Sequence, residues 1–368
     1  MKRAITLGGG GPAAGLHIGA LKCFQEHGIE FDVWSLSCVG VWVGGIYNSY
    51  DKETAPQKTE DHFREFVFRD DKTYDKFPIT PGFVPNIQGN IEALQKFIFN
   101  PKSYENLIVP EAIEKATQMF TKFMSSPEYW NPHAFNQLAL AMAAANPVTR
   151  YMVSMMWLSE ITGLTGGKQP GKGLTESLDI ESLYKPDKPF LYHNAWNLEE
   201  DRIQLFVNRK NPPPGMLPMT SDSMRACSAL PFIIETVMVD GVPYCEGALF
   251  RTVSFTDLIK DHPDLEEVWV IRIVDPAQVR APKNLDQAMN NLCMLFAGSL
   301  GECNVEEFEE HVESNPKLRG KVKIRIVPVS HEINYDWTHS NLDLGVEQGY
   351  SNTLESIKKY KEEVADTA

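Results

Sequence analysis

Two passages within the first fifty residues constrain the fold more than anything else in this sequence: "AITLGGGGPAAGLHIGA", Ala4 to Ala20, and "VWSLSCVGVWVGG", Val33 to Gly45. Each runs from a short apolar stretch through small residues into a helical pattern. Ala4 to Leu7 reads as a strand, Ala14 to His27 as a helix, Asp32 to Ser37 as a strand and Gly40 to Tyr50 as a helix. That succession begins a doubly wound, mainly parallel α/β sheet. The far end of the chain returns to it. Lys188 to Asn194, Ile203 to Val207, Val268 to Val274 and Val322 to Val327 are strand-like, and Leu285 to Phe296 and Leu344 to Lys361 are helix-like.

Between about 52 and 180 the chain is rich in Phe, Met, Trp and Tyr and mostly helical in period, as in Glu111 to Phe123 and Phe135 to Leu158. This segment is expected to be a helical insertion or lid within one α/β domain, 1–368, capping the mouth of the sheet and selecting what enters. Pro147 should break or kink its last helix. The Met and aromatic residues from Met142 to Trp157 are suited to lining an acyl-chain tunnel or binding a hydrophobic surface, with ordinary core packing the plainer expectation.

With 43% hydrophobic and 23% charged residues in 368, the chain suits a soluble globular protein. Its net charge of −14 argues against nucleic acid and against electrostatic capture by an anionic membrane, leaving other membrane contact open. The first residues meet glycines before an apolar run of signal-peptide length accumulates. Six cysteines lack CxxC or zinc-type spacing. Free thiols, no metal and no bound cofactor are therefore expected, and the cytoplasm is the default compartment.

Two glycine-rich stretches invite a nucleotide reading. "GGKQPGKG", Gly166 to Gly173, nearly fits a phosphate-binding loop, but Gly173 stands where a Ser or Thr hydroxyl should ligate magnesium, so it reads as a solvent loop. "LGGGGPAAG", Leu7 to Gly15, follows a strand, opens a helix and permits a G-x-G-x-x-A reading. The ribose-binding acid should then lie at the carboxyl end of the second strand. Cys38 occupies that end, and Asp32 lies at the other. The alternative is an oxyanion hole, in which the bare N–H groups of Gly9, Gly10 and Gly11 meet an oxygen that becomes negative during acyl transfer. Cys38, on the sharp strand-to-helix turn opposite, is then placed as a nucleophile in the manner of the G-x-S-x-G elbow.

These residues, in this order, resemble the patatin-like phospholipases over most of the chain outside the helical insertion. The resemblance rests on Gly9-Gly10-Gly11, on His17-Ile18-Gly19 in the following helix, on the elbow at Cys38, on "MRACSALPFI" from Met224 to Ile233 and on "VDGVPYCEGALF" from Val239 to Phe250. It implies a patatin-like α/β fold and a Ser–Asp dyad that cleaves acyl esters, usually of lipids. Here the sequence departs from the family pattern: Cys38 replaces the nucleophilic Ser, Leu36 the first elbow glycine, Glu246 the dyad Asp, and Ala13 the Arg of the oxyanion loop. A thiol is intrinsically more nucleophilic than a hydroxyl and a carboxylate can still accept its proton.

The expectation is an acyl hydrolase or acyltransferase working through Cys38 and Glu246, on a lipid-like ester or a thioester such as that of an acyl carrier. The alternative is a catalytically silent scaffold that binds a lipid or a protein. Cys227 and Cys245 read as small buried residues, with Cys245 facing away from Glu246 along an alternating strand. His17 reads as structural, and Asp240-Gly241 as a hairpin turn.

Overall fold

The computed structural model describes residues 1–368 except 77–86, 166–173, 253, 276–278, 284, 331–332, 334–335 and 368. Strand β1 (Arg3–Leu7) lies between β2 (Val33–Leu36) and β8 (Glu267–Ile271), parallel to both, with Leu7 level with Leu36 and Ile271. Outward from β2 come β3 (Phe190–Asn197), β4 (Arg202–Val207) and β5 (Met216–Pro218); outward from β8 comes β9 (Lys323–Val327). β3 runs parallel to β2, and β4 returns antiparallel to β3. A hairpin, β6 (Val237–Val239) and β7 (Val242–Glu246), completes the sheet by pairing β7 with the second half of β3.

The central strands are apolar because both of their faces are covered. Along β1, β2 and β8 alternate residues separate into two cores. Ile5, Leu7, Trp34, Leu36, Trp269 and Ile271 face helices α1 (Ala14–Glu26), α2 (Val39–Ser49) and α11 (His339–Thr367). Ala4, Val33, Val268 and Val270 face α9 (Phe255–Asp261) and α10 (Leu285–Ser314). Helix α1 approaches α11 so closely that a Cβ at Gly19 would stand 2.0 Å from the Val346 carbonyl oxygen, and one at Gly349 2.2 Å from that of Leu16. Glycine is required on both sides of this crossing.

The chain divides into two compact units, residues 1–84 with 167–368, and residues 85–166. The second is narrower than the 52–180 expected of an insertion, because α3 (Ala55–Phe66) packs with α1 and α2 in the α/β unit. The second unit carries helices α4 (Ile87–Phe99), α5 (Pro110–Ser125), α6 (Pro132–Ala145) and α7 (Pro147–Leu158). Pro147 breaks α6 from α7, and Asn146 caps α7 by accepting from the Val148 N–H at 2.8 Å. The expectation that Met142 to Trp157 would be core does not hold for its largest side chains, since Met142, Met156 and Trp157 are exposed. The stretch Gly166 to Gly173 lies outside the described residues.

Candidate active site

The end of β2 builds the site. Leu36 is level with His193 of β3; two residues further along β3, Ala195 pairs with Glu246, the last residue of β7. Cys38, two residues past Leu36, therefore emerges at the level of Glu246. Sequence proximity had no part in this: residues 38 and 246 meet because β7 takes over as the neighbour of β3 where β2 stops.

Between β2 and α2 the turn is held from both sides. The Ser37 N–H donates to the Leu7 carbonyl at 2.9 Å, and the Gly40 N–H to the Ser37 carbonyl at 2.9 Å. A Cβ at Gly40 would lie 2.1 Å from the Leu7 oxygen, so only glycine lets α2 start against β1. Cys38 itself takes φ 48° and ψ −124°, a conformation that costs a non-glycine residue about 1–3 kcal/mol and that must be enforced by its surroundings. Part of that enforcement is the Cys38 N–H, which donates to the sulfur of buried Cys227 at 3.3 Å. Cys227 ends α8 (Ser221–Cys227), whose start is fixed by a capping box between Thr220 and Ser223.

Cys38 is partly exposed and Glu246 is 5% exposed. Cys38 Sγ and Glu246 Oε1 border one small space, lying 3.5 and 3.7 Å from where a Cβ at Gly9 would stand. Burial pushes the Cys38 thiol well above its ordinary range, and the negative charge of nearby Glu246 pushes the same way; the Val39 N–H, at the start of α2, opposes them. Glu246 is raised to about 7 by burial, against which the neighbouring Cys38 thiol works. The resting pair is thus a neutral thiol beside a carboxyl group that ionises near neutrality, the working range of a general base.

Gly9 faces this pair. A Cβ there would meet Cys38 Cβ at 2.9 Å, Cys38 Sγ at 3.5 Å and Glu246 Oε1 at 3.7 Å. Among the described residues the N–H groups of Gly9, Gly10 and Gly11 donate to no protein acceptor. Gly10 differs from Gly9 in surroundings: its missing side chain is filled by Ile273 and Val274, 2.6 to 2.8 Å from where a Cβ would be. Gly11 has φ 50° and starts a turn of 3-10 helix leading into α1. His17 lies beneath the loop, fully buried, and donates from Nε2 to the Gly8 carbonyl at 3.0 Å. Burial lowers its pKa to about 4, so it is a neutral prop for the loop and stays clear of the thiol chemistry.

The structure separates the two glycines as targets. Gly9→Ala is expected to slow acylation of Cys38 by roughly ten- to a thousandfold, the range for losing part of an oxyanion hole, and to lower the thermal midpoint as well, since its Cβ would stand 2.9 Å from Cys38 Cβ. Gly10→Ala is expected to lower the thermal midpoint through its clash with Ile273. Stopped-flow acylation alongside thermal melts checks both.

Cys245 pairs with Trp196 and is buried, and Asp240 (φ 49°) with Gly241 (φ 85°) forms the β6–β7 turn, as the sequence indicated. Two contributors were not legible beforehand. The Val39 N–H at the Cys38 sulfur is a consequence of the elbow geometry, which the turn motif itself could have flagged. Cys227 as an acceptor for the elbow N–H had no local signal, since residues 189 apart meet there. Cys293 of α10 lies close enough to Glu246 for that charge to help raise its thiol, after burial, to about 11. Among the described residues no group of three His, Cys, Asp or Glu side chains could hold a metal ion.

Set against known proteins, residues 5–259 match the family model described as patatin-like phospholipase. The chain belongs to the patatin-like phospholipase family. Members are typically lipid hydrolases, and membership supports lipid ester hydrolysis. No curated protein sequence matches the chain. Solved structures to which the chain is similar include those of VipD and ExoU. VipD from Legionella pneumophila shares 12% identity at a TM-score of 0.41, with 97% of this chain and 67% of that one covered. ExoU, in its heterodimeric complex with SpcU from the type III secretion system of Pseudomonas aeruginosa, shares 12% identity at a TM-score of 0.33, with 98% of this chain covered. The chain spans about half the length of that ExoU match, 51%. No helix among the described residues is long and apolar enough to cross a membrane.

Proposed function

We propose that this patatin-like protein transfers acyl groups from a lipid-like ester or thioester through an acyl-cysteine at Cys38, ending in hydrolysis or in transfer to an acceptor. The observation that carries the reading is the meeting of the Cys38 thiol, on a strained elbow, with the buried Glu246 carboxylate at one space beside Gly9. Glu246 takes the thiol proton as sulfur attacks the acyl carbonyl. The carbonyl oxygen gains the negative charge, which the N–H groups of Gly9, Gly10, Gly11 and Val39 stabilise in this reading. As the intermediate collapses, the bond to the leaving alkoxide or thiolate breaks, Glu246 returns the proton to it, and a thioester on Cys38 remains. Water or a second acceptor, deprotonated by the same carboxylate, then releases the acyl group. A thioester exchanges readily with thiols and amines, so a Cys nucleophile favours acyl transfer, or a thioester substrate such as that of an acyl carrier, over phospholipid hydrolysis.

The base must be ionised to act. Acylation is therefore expected to rise with pH through about 7, the value to which burial raises Glu246, and to level off below the range of the Cys38 thiol. Initial rates with a soluble acyl thioester from pH 5 to 9 check this, and a flat profile contradicts it. One observation favours a second reading, a silent lipid-binding scaffold: the thiol is pushed up rather than down. Tight binding of an acyl ester without turnover across that pH range decides for the scaffold.

A further inference from the structure

The unit formed by residues 85–166 presents an apolar surface that its own fold does not cover. Helix α7 has no buried residue; Val148, Met152, Val153, Met156 and Trp157 are between 48% and 81% exposed. In α6 only Leu138 and Ala141 are buried, while Phe135 and Leu140 are exposed at 58% and 71%. From Pro132 to Leu158 the sequence carries one formal charge, Arg150. Contiguous apolar surface of this kind marks an interaction site.

Beside it lies a groove of about 480 Å³, contained within this unit, with Lys102 and Arg150 at its polar side and Val153, Trp157 and Leu158 at its apolar side. Arg150 donates from Nε to the Asn106 carbonyl and from Nη1 to the Ala144 carbonyl, which fixes the guanidinium and leaves Nη2 to a ligand. Among the described residues neither Lys102 nor Arg150 has an acidic partner. Two cations next to an apolar helix face suit an anionic group attached to hydrocarbon.

We propose that residues 85–166 dock on a phospholipid surface, with a headgroup phosphate between Lys102 and Arg150 and the α7 face immersed among the acyl chains. The charge distribution selects this occupant. The unit has six acids against five bases, so it carries almost none of the chain's −14 charge and is not itself repelled by a phospholipid surface. A protein partner would meet a single formal charge, Arg150, along the 27 residues from Pro132 to Leu158 with which to fix its register. The helices are too short to span a bilayer, and apolar helices with Trp and Met at the exposed face lie in its interface. The inference concerns where the protein sits and is independent of which side chain performs the chemistry.

The test uses the full chain carrying Cys38→Ala, so that vesicles are not consumed, in co-sedimentation with phosphatidylcholine vesicles at physiological salt. Binding is expected. Met156→Ser with Trp157→Ser is expected to lower the partition coefficient by at least about tenfold, since each removes apolar area from the interface. Arg150→Gln with Lys102→Gln is expected to weaken binding to phosphatidylcholine but not to phosphate-free triacylglycerol droplets. Far-UV circular dichroism confirms each variant's helices, and Val148→Ser with Met152→Ser serves if the first pair unfolds. A chain that remains in the supernatant, surface variants that sediment like their parent, or a Trp157-dependent dimer that ignores vesicles overturns the proposal.

Discussion

Replacing Cys38 by alanine is expected to lower turnover of acyl esters and thioesters by roughly a thousandfold or more, because removing a nucleophile removes the covalent route and leaves only binding and oxyanion stabilisation. The fold should survive. Alanine keeps the Cβ that packs near Gly9 and the N–H that donates to Cys227, and the backbone strain at φ 48° is the same for both residues. Cys38→Ser separates chemistry from geometry. It restores the residue usual in the family, but in a pocket where Glu246 stands for the shorter Asp, and one extra methylene shifts the carboxylate by about 1.5 Å, against a typical loss of about a hundredfold per 1 Å. The serine variant should therefore be poor, and adding Glu246→Asp should recover part of its activity. Steady-state kinetics on the three variants checks the series, and a serine variant as fast as the parent contradicts the geometric argument.

Glu246→Gln has the second large effect, and it moves two quantities in opposite directions. Activity is expected to fall by about a hundred- to ten-thousandfold, the usual contribution of a positioned base. Stability is expected to rise at alkaline pH. Burial raises the folded-state pKa of Glu246 to about 7, above the ordinary carboxylate value. The folded state thus binds the proton more tightly than the unfolded one; the associated stability is complete below about pH 4.5 and is lost as pH rises through about 7. By pH 8 the buried charge costs about 3 kcal/mol at full linkage, which the neutral amide does not incur. Denaturant melts of both proteins should coincide near pH 4 and separate at pH 8 in favour of the variant. If both melt alike at pH 8, Glu246 is not a strained buried carboxylate and its role as base loses its physical ground.

Much of the architecture was legible because the signals were local. Apolar runs at Ala4 to Leu7 and Asp32 to Ser37, each followed by glycines and a helical period, could hardly give anything but parallel strands crossed by helices. The Asp240-Gly241 hairpin and the break at Pro147 were legible for the same reason, as Asp and Gly tolerate the positive φ a tight hairpin turn needs and proline fixes its own φ. The ends of α10 and α11 were not. The expected helices, Leu285 to Phe296 and Leu344 to Lys361, extend to Ser314 and from His339 to Thr367, because tertiary packing of Val305, Phe308 and Val312 against the sheet overrides a sequence whose apolar period fades. Strand β8 is shorter than read, since the chain leaves the ladder after Ile271 and Ile273 and Val274 turn to fill the space at Gly10.

The candidate site's residues could be named from the sequence, but their arrangement could not. Cys38 and Gly9 could be proposed from their turns, and Glu246 from its place in the family pattern. Their encounter depends on β7 replacing β2 beside β3, a long-range pairing with no sequence period. The glycine loop shows the same limit: four consecutive glycines look equivalent, yet Gly9 borders the thiol while the space at Gly10 belongs to Ile273.

The central claim is that Cys38 carries the acyl group, and intact-protein mass spectrometry after brief exposure to a panel of acyl esters and acyl thioesters tests it most directly. The account requires one added acyl mass on the native protein, located by peptide mapping to Cys38, and no such mass on Cys38→Ala. An adduct that persists on Cys38→Ala, or full turnover by that variant, places the nucleophile elsewhere and contradicts the account.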